Sequence, residues 1–183
     1  VVLGLGLTGY SLARHLAARG ATVRVADSRP APPFADRLHE TLPAVRLTTG
    51  PFGEATVAGA DLIAISPGVP KDQSFIAAAV ARGAELVGDV ELFARALPPH
   101  PKVIAITGSN GKTTVTALTG ALTRAAGLAT VVAGNIGDAV LDADRATVEG
   151  RDLRAGGETD AAAGVLVVAV EPGEHAEHLV PVL

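Results

Sequence analysis

A glycine-rich segment near the middle of the chain has the residue types that bind phosphate. It reads TGSNGKTT over residues 107–114 and directly follows the apolar run Val103–Ile106. Gly108 and Gly111 allow successive backbone N–H groups to turn inward, which forms an anion nest at the start of the next helix. Ile106 stands where the pattern G-x-x-x-x-G-K-[ST] has its first glycine. The segment therefore predicts a phosphate-binding loop that differs from the loop of an ordinary GTPase.

The side chains that close this loop supply the rest of the phosphate chemistry. Lys112 can reach the β- and γ-phosphates of a nucleotide, and the Thr113 hydroxyl can act as a Mg²⁺ ligand. Thr114 is a further candidate phosphate contact. A glycine turn beside a surface lysine is the simpler alternative, but the coincidence of strand, G-K-T and helix favours the phosphate loop. Lys112 and Thr113 are therefore the candidate catalytic residues.

A second glycine-rich loop lies at the start of the chain, between an apolar strand and a helical pattern. It reads GLGLTG, with glycines at Gly4, Gly6 and Gly9, and Asp27 ends the next strand. Such glycines let the backbone approach a pyrophosphate at a helix N-terminus, while the acid meets a ribose hydroxyl. A tight strand-to-helix turn would also need glycine for steric reasons alone. The context favours a nucleotide, without choosing between NAD and another nucleoside diphosphate.

The composition excludes several classes of protein. The 183 residues are 48% hydrophobic with a net charge of −4, so a core is available but the clustered basic charge of a nucleic-acid-binding protein is absent. There is no cysteine for a disulfide or a thiolate metal site, which fits a cytoplasmic protein. The sequence shows neither a membrane span nor a signal peptide. Since methionine is absent and the chain opens inside a strand, we expect a fragment whose true start is missing.

The glycine loops are set in an alternation of strand and helix signals, which predicts βαβ units and a parallel sheet. Three prolines in LPPHPK predict a linker, so we expect one domain over residues 1–97 and another over 98–183. Residues 142–163 are polar and glycine-rich, typical of a loop or of disorder.

The predicted strands are Val1–Leu3, Thr22–Ala26, Val45–Thr49, Leu62–Ser66, Glu85–Val87, Val103–Ile106 and Gly164–Val170. The predicted helices are Tyr10–Ala18, Ser74–Arg82, Asp89–Leu97 and Thr113–Ala126. The predicted fold class is α/β, with a Rossmann-like parallel-sheet N-terminal domain followed by a truncated P-loop-type central domain.

Short motifs in matching order give the chain a family resemblance from residue 1 to about residue 140. Beside the two glycine loops they are DSRPAPP at 27–33, SPGVP at 66–70, GDVELF at 88–93 and GNIG at 134–137. Together these resemble the Mur ligases, the ATP-dependent amide ligases that build the peptidoglycan peptide. Within that family the chain is most similar to the members that add D-glutamate.

The resemblance implies a reaction and a set of site residues. ATP with Mg²⁺ would phosphorylate the carboxylate of UDP-N-acetylmuramoyl-L-alanine, and the D-glutamate amine would then attack the acyl phosphate. The sequence predicts no binding to nucleic acid or membrane, and no obligate protein partner is inferred. The implied ATP-binding residues are Gly108, Ser109, Asn110, Gly111, Lys112, Thr113 and Thr114. The implied residues for the UDP-linked substrate are Gly6, Leu7, Thr8, Asp27, Ser28, Arg29, Ser66, Pro67, Gly68 and Asn135.

The resemblance stops after about residue 140. The family's next strand ends in a motif like E-L-S-S-F-Q, whose glutamate binds Mg²⁺, whereas here GVLVVAV is followed by EPGEHAEH. Glu171 is the candidate metal ligand in that place, with a solvated tail as the alternative. The remaining acids and histidines of this tail match no metal-ligand spacing. A frame shift or a divergent insert would explain the change.

The sequence leaves three hypotheses for the function. The first is the N-terminal and partial central portion of a D-glutamate-adding ligase, which we expect to be inactive alone. The second is a nucleotide-binding remnant of such a ligase without activity. The third is an NAD-dependent oxidoreductase, which the first glycine loop alone would allow but which has no use for the G-K-T loop.

Overall fold

The computed structural model describes residues 1–96, 102–108, 110–134, 139–142 and 164–169. By its internal contacts the chain separates into two compact units, a first unit of Val1–Asp89 and a second unit of Val90–Leu183. The domain boundary between residues 97 and 98 stays a prediction, because residues 97–101 lie outside those described.

The first unit is built on a five-stranded parallel sheet. Its strands are β1 (Val2–Leu3), β2 (Arg24–Asp27), β3 (Arg46–Thr49), β4 (Leu62–Ile65) and β5 (Glu85–Val87), in the spatial order β3-β2-β1-β4-β5. The chain moves outward from β1 to β3 and then returns to place β4 on the other side of β1. In open parallel sheets such a reversal leaves a crevice at the carboxyl ends of the two central strands, where ligands bind.

Helices connect these strands and cover the sheet. They are α1 (Leu7–Ala18), α2 (Ala35–Thr41), α3 (Glu54–Val57) and α4 (Ser74–Ala81), and α5 (Asp89–Ala96) begins at the last residue of the first unit. Leu3 and Ile63 pack in one hydrophobic cluster with Val57 of α3 and Ile76 of α4. The neighbouring strand residue Val2 is also fully buried and points to the opposite face. Burial on both faces explains why the central strands β1 and β4 are apolar throughout.

Besides most of α5, the described residues of the second unit form a three-stranded parallel sheet and a long helix. The strands are β6 (Lys102–Ile106), β7 (Ala129–Gly134) and β8 (Gly164–Ala169), in the order β6-β8-β7, and the helix is α6 (Lys112–Ala125). Ala169 pairs with Ile106 on one side and with Gly134 on the other, so the three strands end at the same edge. The loop between β6 and α6 starts at that edge.

Helix α6 is held close to strand β7. A Cβ atom at Gly120 would lie 2.5 Å from Val132 Cγ2, so only glycine allows this approach without a shift. The Thr130 hydroxyl donates to Thr123 Oγ1 at 3.0 Å and ties the strand to the last turns of the helix. These contacts fix the axis of the helix whose N-terminus carries the G-K-T sequence.

The structure confirms the predicted α/β class and the parallel sheet. Helix α1 begins at Leu7, three residues before the predicted start at Tyr10, because the last three residues of the GLGLTG motif are already helical. Helices α2 and α3 and strand β7 were not predicted. Of the region 142–163, predicted as loop or disorder, residues 143–163 lie outside the described residues. In the stretches that the structure describes, no helix has the length and apolar character needed to cross a membrane.

Candidate functional site

Two glycines of the first loop are required by close packing. Gly4 has a φ of +90°, and a Cβ atom there would lie 3.1 Å from atoms of both Ser66 and Val69. At Gly9 a Cβ atom would lie only 1.8 Å from the Gly4 carbonyl oxygen. These glycines let helix α1 pack against the turn that follows β1, so they build the loop and do not face a ligand.

Gly6 has a different role in the same loop. It is the N-cap of α1 in an extended conformation, and a Cβ atom added there would meet nothing within 4 Å. No side chain caps the helix, and the first ladder bond runs from the Tyr10 N–H to the Gly6 oxygen at 3.0 Å. The N–H groups of Leu7 and Thr8 therefore have no acceptor within the helix. Open space and unsatisfied donors at a helix N-terminus together suit an anionic group.

Asp27, at the end of β2, joins the glycine loop to Arg29. Its carboxylate is 2% exposed, and its Oδ2 accepts from the Leu5 N–H at 2.6 Å and from Arg29 Nη2 at 2.7 Å. Its Oδ1 accepts from the Arg29 N–H at 2.9 Å and from Arg29 Nε at 2.8 Å. These four bonds fill the usual capacity of a carboxylate. The predicted contact between Asp27 and a ribose hydroxyl stays a prediction, and in this structure the carboxylate orients Arg29 and the loop.

The Asp27 contacts produce a pH-dependent contribution to stability. Hydrogen bonding from the Arg29 side chain is the main cause that lowers the pKa of Asp27 from 3.8 to about 2. A lowered folded-state pKa stabilises the fold above the unfolded-state value and loses that contribution as the pH falls towards 2.

We expect Asp27→Asn to remove this part of the pH dependence. Between pH 5 and pH 2, the free energy of unfolding in urea should fall by about 1–2 kcal/mol more for the wild type than for the variant. This figure is reduced because the Arg29 side chain is half-exposed and solvent screens its charge. Glu54→Gln, a change of a surface carboxylate in α3, is the control and should follow the wild type. Parallel pH profiles for the wild type and Asp27→Asn would contradict the assignment.

The turn after β4 forms the other wall of the crevice. The Ser66 N–H donates to the Leu3 oxygen at 3.0 Å, and the Ser66 hydroxyl donates to the Gly4 oxygen at 3.3 Å. Pro67 and Gly68 follow as exposed residues at the rim. The structure therefore brings the predicted Ser66–Gly68 segment beside the glycine loop.

The remaining predicted residues of this site differ in exposure. Leu7, in the first turn of α1, is an apolar side chain that is 44% exposed beside the open position at Gly6. Thr8 is half-buried, Ser28 is exposed, and the side chain of Arg29 is 51% exposed. The mouth of the crevice thus offers apolar surface, hydroxyl groups and one cation.

The glycine loop of the second unit has the backbone of an anion nest. Gly108 and Gly111 have φ values of +151° and +78°, and Gly111 is the N-cap of α6 with no side-chain cap. Lys112 Nζ donates to the Gly108 oxygen at 2.6 Å and so bridges the loop. Thr113 and Thr114 are exposed in the first turn. The loop thus presents a cation, two hydroxyl groups and the first N–H groups of a helix at one place.

Three predicted site residues lie outside the described part of the chain: Ser109, Asn135 and Glu171. Within the described ranges no group of three or more His, Asp or Glu side chains could hold a metal ion. The exposed Thr113 hydroxyl suits one position in the coordination sphere of Mg²⁺. The metal site stays a prediction from the sequence.

Comparison with known proteins identifies the family. Residues 1–88 match the N-terminal domain of MurD-like Mur ligases. The chain is 59% identical over 156 residues to the UDP-N-acetylmuramoylalanine–D-glutamate ligase of Thiobacillus denitrificans. The aligned region covers 78% of this chain and 33% of the relative. The chain belongs to the Mur ligase family. A second Mur ligase of the same name, from Methylobacillus flagellatus, is 54% identical over 142 residues, covering 78% of this chain and 31% of the relative.

A solved Mur ligase structure supports the fold. The UDP-N-acetylmuramate:L-alanyl-γ-D-glutamyl-meso-diaminopimelate ligase from Neisseria meningitides aligns with a TM-score of 0.54 at 19% identity, covering 92% of this chain and 51% of that one. The resemblance inferred from the short motifs is therefore confirmed at the level of family and fold. The chain spans about a third of the length of the curated Mur ligases that it matches.

Proposed function

We propose that this chain contributes the UDP-substrate site and the ATP loop of an ATP-dependent amide ligase. The reaction joins D-glutamate to UDP-N-acetylmuramoyl-L-alanine through an acyl phosphate, in the cytoplasm, as a step of peptidoglycan synthesis. The observation that carries the proposal is the 59% identity, over 156 residues, to a relative named for that reaction. The geometry of the two loops supports it.

The crevice of the first unit is proposed to hold the uridine diphosphate group. The diphosphate would accept from the first N–H groups of α1, which the open position at Gly6 leaves accessible. Arg29 uses two of its five N–H donors on Asp27 through its side chain, so the others can reach a phosphate oxygen. Leu7 offers apolar surface to the base or ribose. The proposed substrate set in this crevice is Gly6, Leu7, Thr8, Asp27, Ser28, Arg29, Ser66, Pro67 and Gly68. Asn135, a residue of the second unit, is proposed as a further substrate contact from the sequence alone.

The loop of the second unit is proposed to hold ATP. The Lys112 ammonium, which now donates to the Gly108 oxygen, would donate instead to the β- and γ-phosphate oxygens. The backbone N–H groups of the loop would bind the same phosphates. Mg²⁺, when bound, neutralises charge that develops on the transferring phosphoryl group. The proposed ATP set is Gly108, Ser109, Asn110, Gly111, Lys112, Thr113 and Thr114, with Thr113 and Glu171 as metal ligands.

Gly6→Ala tests the substrate site without disturbing the fold. The added methyl group meets no protein atom but fills the space through which the diphosphate would approach the helix. We expect calorimetric titration with UDP-N-acetylmuramoyl-L-alanine to show binding by the wild type and at least about tenfold weaker binding by the variant, the loss of one or more charge-assisted hydrogen bonds. The free energy of unfolding should change by less than about 1 kcal/mol.

Gly53→Ala is the matched control for this titration. Gly53 is also an extended N-cap, of α3, with nothing within 4 Å of an added Cβ atom, but it lies beyond the outer strand β3. The control should bind the substrate like the wild type. Equal affinity of Gly6→Ala and the wild type, or binding of NADH with no binding of the UDP-linked substrate, would contradict the proposed site.

A further inference from the structure

We propose that Tyr10 is a positioning residue, which acts through Phe34 to hold the Arg29 segment against the glycine loop and thereby sets the affinity for the UDP group. The Arg29 segment is residues 28–33, between β2 and Phe34. The proposal rests on the proposed function of the crevice. It concerns two aromatic residues that the chemistry of phosphate binding does not require.

The backbone of Tyr10 is part of the glycine loop's own hydrogen bonding. Its N–H makes the first ladder bond of α1, to the oxygen of Gly6. Its side chain is 3% exposed, so the ring cannot lie in the crevice as a ligand contact. Any influence of this ring on a ligand must therefore pass through the residues that it touches.

The ring of Tyr10 is fixed from several directions. It stacks on the ring of Phe34 with centroids 5.4 Å apart and planes inclined by 23°. The guanidinium carbons of Arg14 and Arg37 lie 5.5 Å and 5.4 Å from its centroid. Its hydroxyl is hydrogen-bonded to Thr41 Oγ1 at 3.0 Å, at the end of α2. Tyr10 thus joins α1 to α2 at the point where Phe34 precedes α2.

The Arg29 segment is attached at both ends. At its start, Arg29 donates three hydrogen bonds to Asp27. At its end, Phe34 stacks on Tyr10, and the Phe34 oxygen accepts from the N–H of the fully buried Leu38. Three of its six residues are proline, which restricts the backbone in between. A displacement at the Phe34 end is therefore carried along a stiff segment towards Arg29.

Loosening the Phe34 end should weaken ligand binding, because the ligand would then have to order the segment. We expect Phe34→Leu to weaken the binding of UDP to the 183-residue chain about fivefold, the equilibrium effect of one aromatic pair. Tyr10→Leu should have a similar or larger effect. Tyr10→Phe keeps the ring and loses only the hydroxyl bond, so its affinity for UDP should stay within about twofold of the wild type.

A double-mutant cycle separates positioning from a general loss of stability. In the Arg29→Ala background, Phe34→Leu should change UDP affinity by less than about twofold, because the group through which it acts is gone. Phe52→Leu is the matched control. Phe52 is partly buried and packs on Phe75 of the hydrophobic cluster that contains Leu3 and Ile63, with ring centroids 6.5 Å apart, so this variant should lose stability and keep its affinity for UDP.

The outcomes are distinguishable by calorimetric titration with UDP. An undiminished affinity in both Phe34→Leu and Tyr10→Leu would overturn the inference and leave the proposed function standing. If Phe34→Leu lowered UDP affinity fivefold both with Arg29 present and in the Arg29→Ala background, the inference would also be overturned, because the rings would then affect binding without acting through Arg29. A wild-type chain that does not bind UDP would overturn the proposed function and this inference with it.

Discussion

Gly9→Ala is expected to lower the free energy of unfolding of the first unit by at least about 3 kcal/mol. The new methyl group would lie 1.8 Å from the Gly4 oxygen and 2.8 Å from the Gly4 carbonyl carbon, and these are backbone atoms that cannot rotate away. Overpacking against side chains costs about 1–3 kcal/mol, and a backbone neighbour leaves fewer ways to relax. Against a total stability of roughly 5–15 kcal/mol, the variant would be strongly destabilised.

Urea unfolding followed by circular dichroism measures this effect. Gly6→Ala is the control in the same loop, because its added methyl group meets nothing within 4 Å and its unfolding midpoint should stay close to that of the wild type. A Gly9→Ala protein with the midpoint of the wild type would show that α1 does not pack against the Gly4 turn as described.

Lys112→Ala is expected to weaken ATP binding by about 1.5–3 kcal/mol, the size of a hydrogen bond to a charged group. The ammonium already lies in the loop, bonded to the Gly108 oxygen at 2.6 Å, so it needs little movement to meet a phosphate. Calorimetric titration with Mg·ATP gives the difference in affinity between the variant and the wild type.

Lys71→Ala is the matched control for charge. Lys71 is an exposed lysine of the first unit, so its removal changes the net charge by the same amount without touching the loop. It should leave ATP affinity unchanged. An ATP affinity of Lys112→Ala equal to that of the wild type would refute the assignment of the loop.

The parts of the fold that the sequence predicts are those with a strong local signal. Leu62–Ile65 and Ile104 stand in apolar runs, and both glycine loops stand between a strand and a helix. Helix α2 was missed because it is short and polar, with Leu38 as its only buried residue. Strand β7 was missed because its short apolar run follows a helix stop directly, and its partner β8 is about 30 residues further along the chain.

The roles of the individual site residues depend on tertiary geometry that local patterns do not contain. The spacing of Gly4, Gly6 and Gly9 predicts a phosphate-binding turn, but only the positions of neighbouring atoms separate the packed glycines from the open Gly6. The acid at the end of β2 was expected to meet a ribose. In the structure the Asp27 carboxylate accepts hydrogen bonds from the Leu5 N–H and from Arg29, because β1 and β2 lie side by side. The pairing of Tyr10 with Phe34 joins residues 24 positions apart and has no sequence signature.

The most direct test of the central claim is an NMR titration of the ¹⁵N-labelled chain with UDP-N-acetylmuramoyl-L-alanine. We expect the largest backbone amide shifts at Gly6, Leu7, Thr8, Arg29 and Gly68, with the amides of Gly111–Thr114 moving only when Mg·ATP is added. NADH should leave the first group unchanged. Shifts confined to the loop of the second unit, or a response of the first loop to NADH and none to the UDP-linked substrate, would contradict the account.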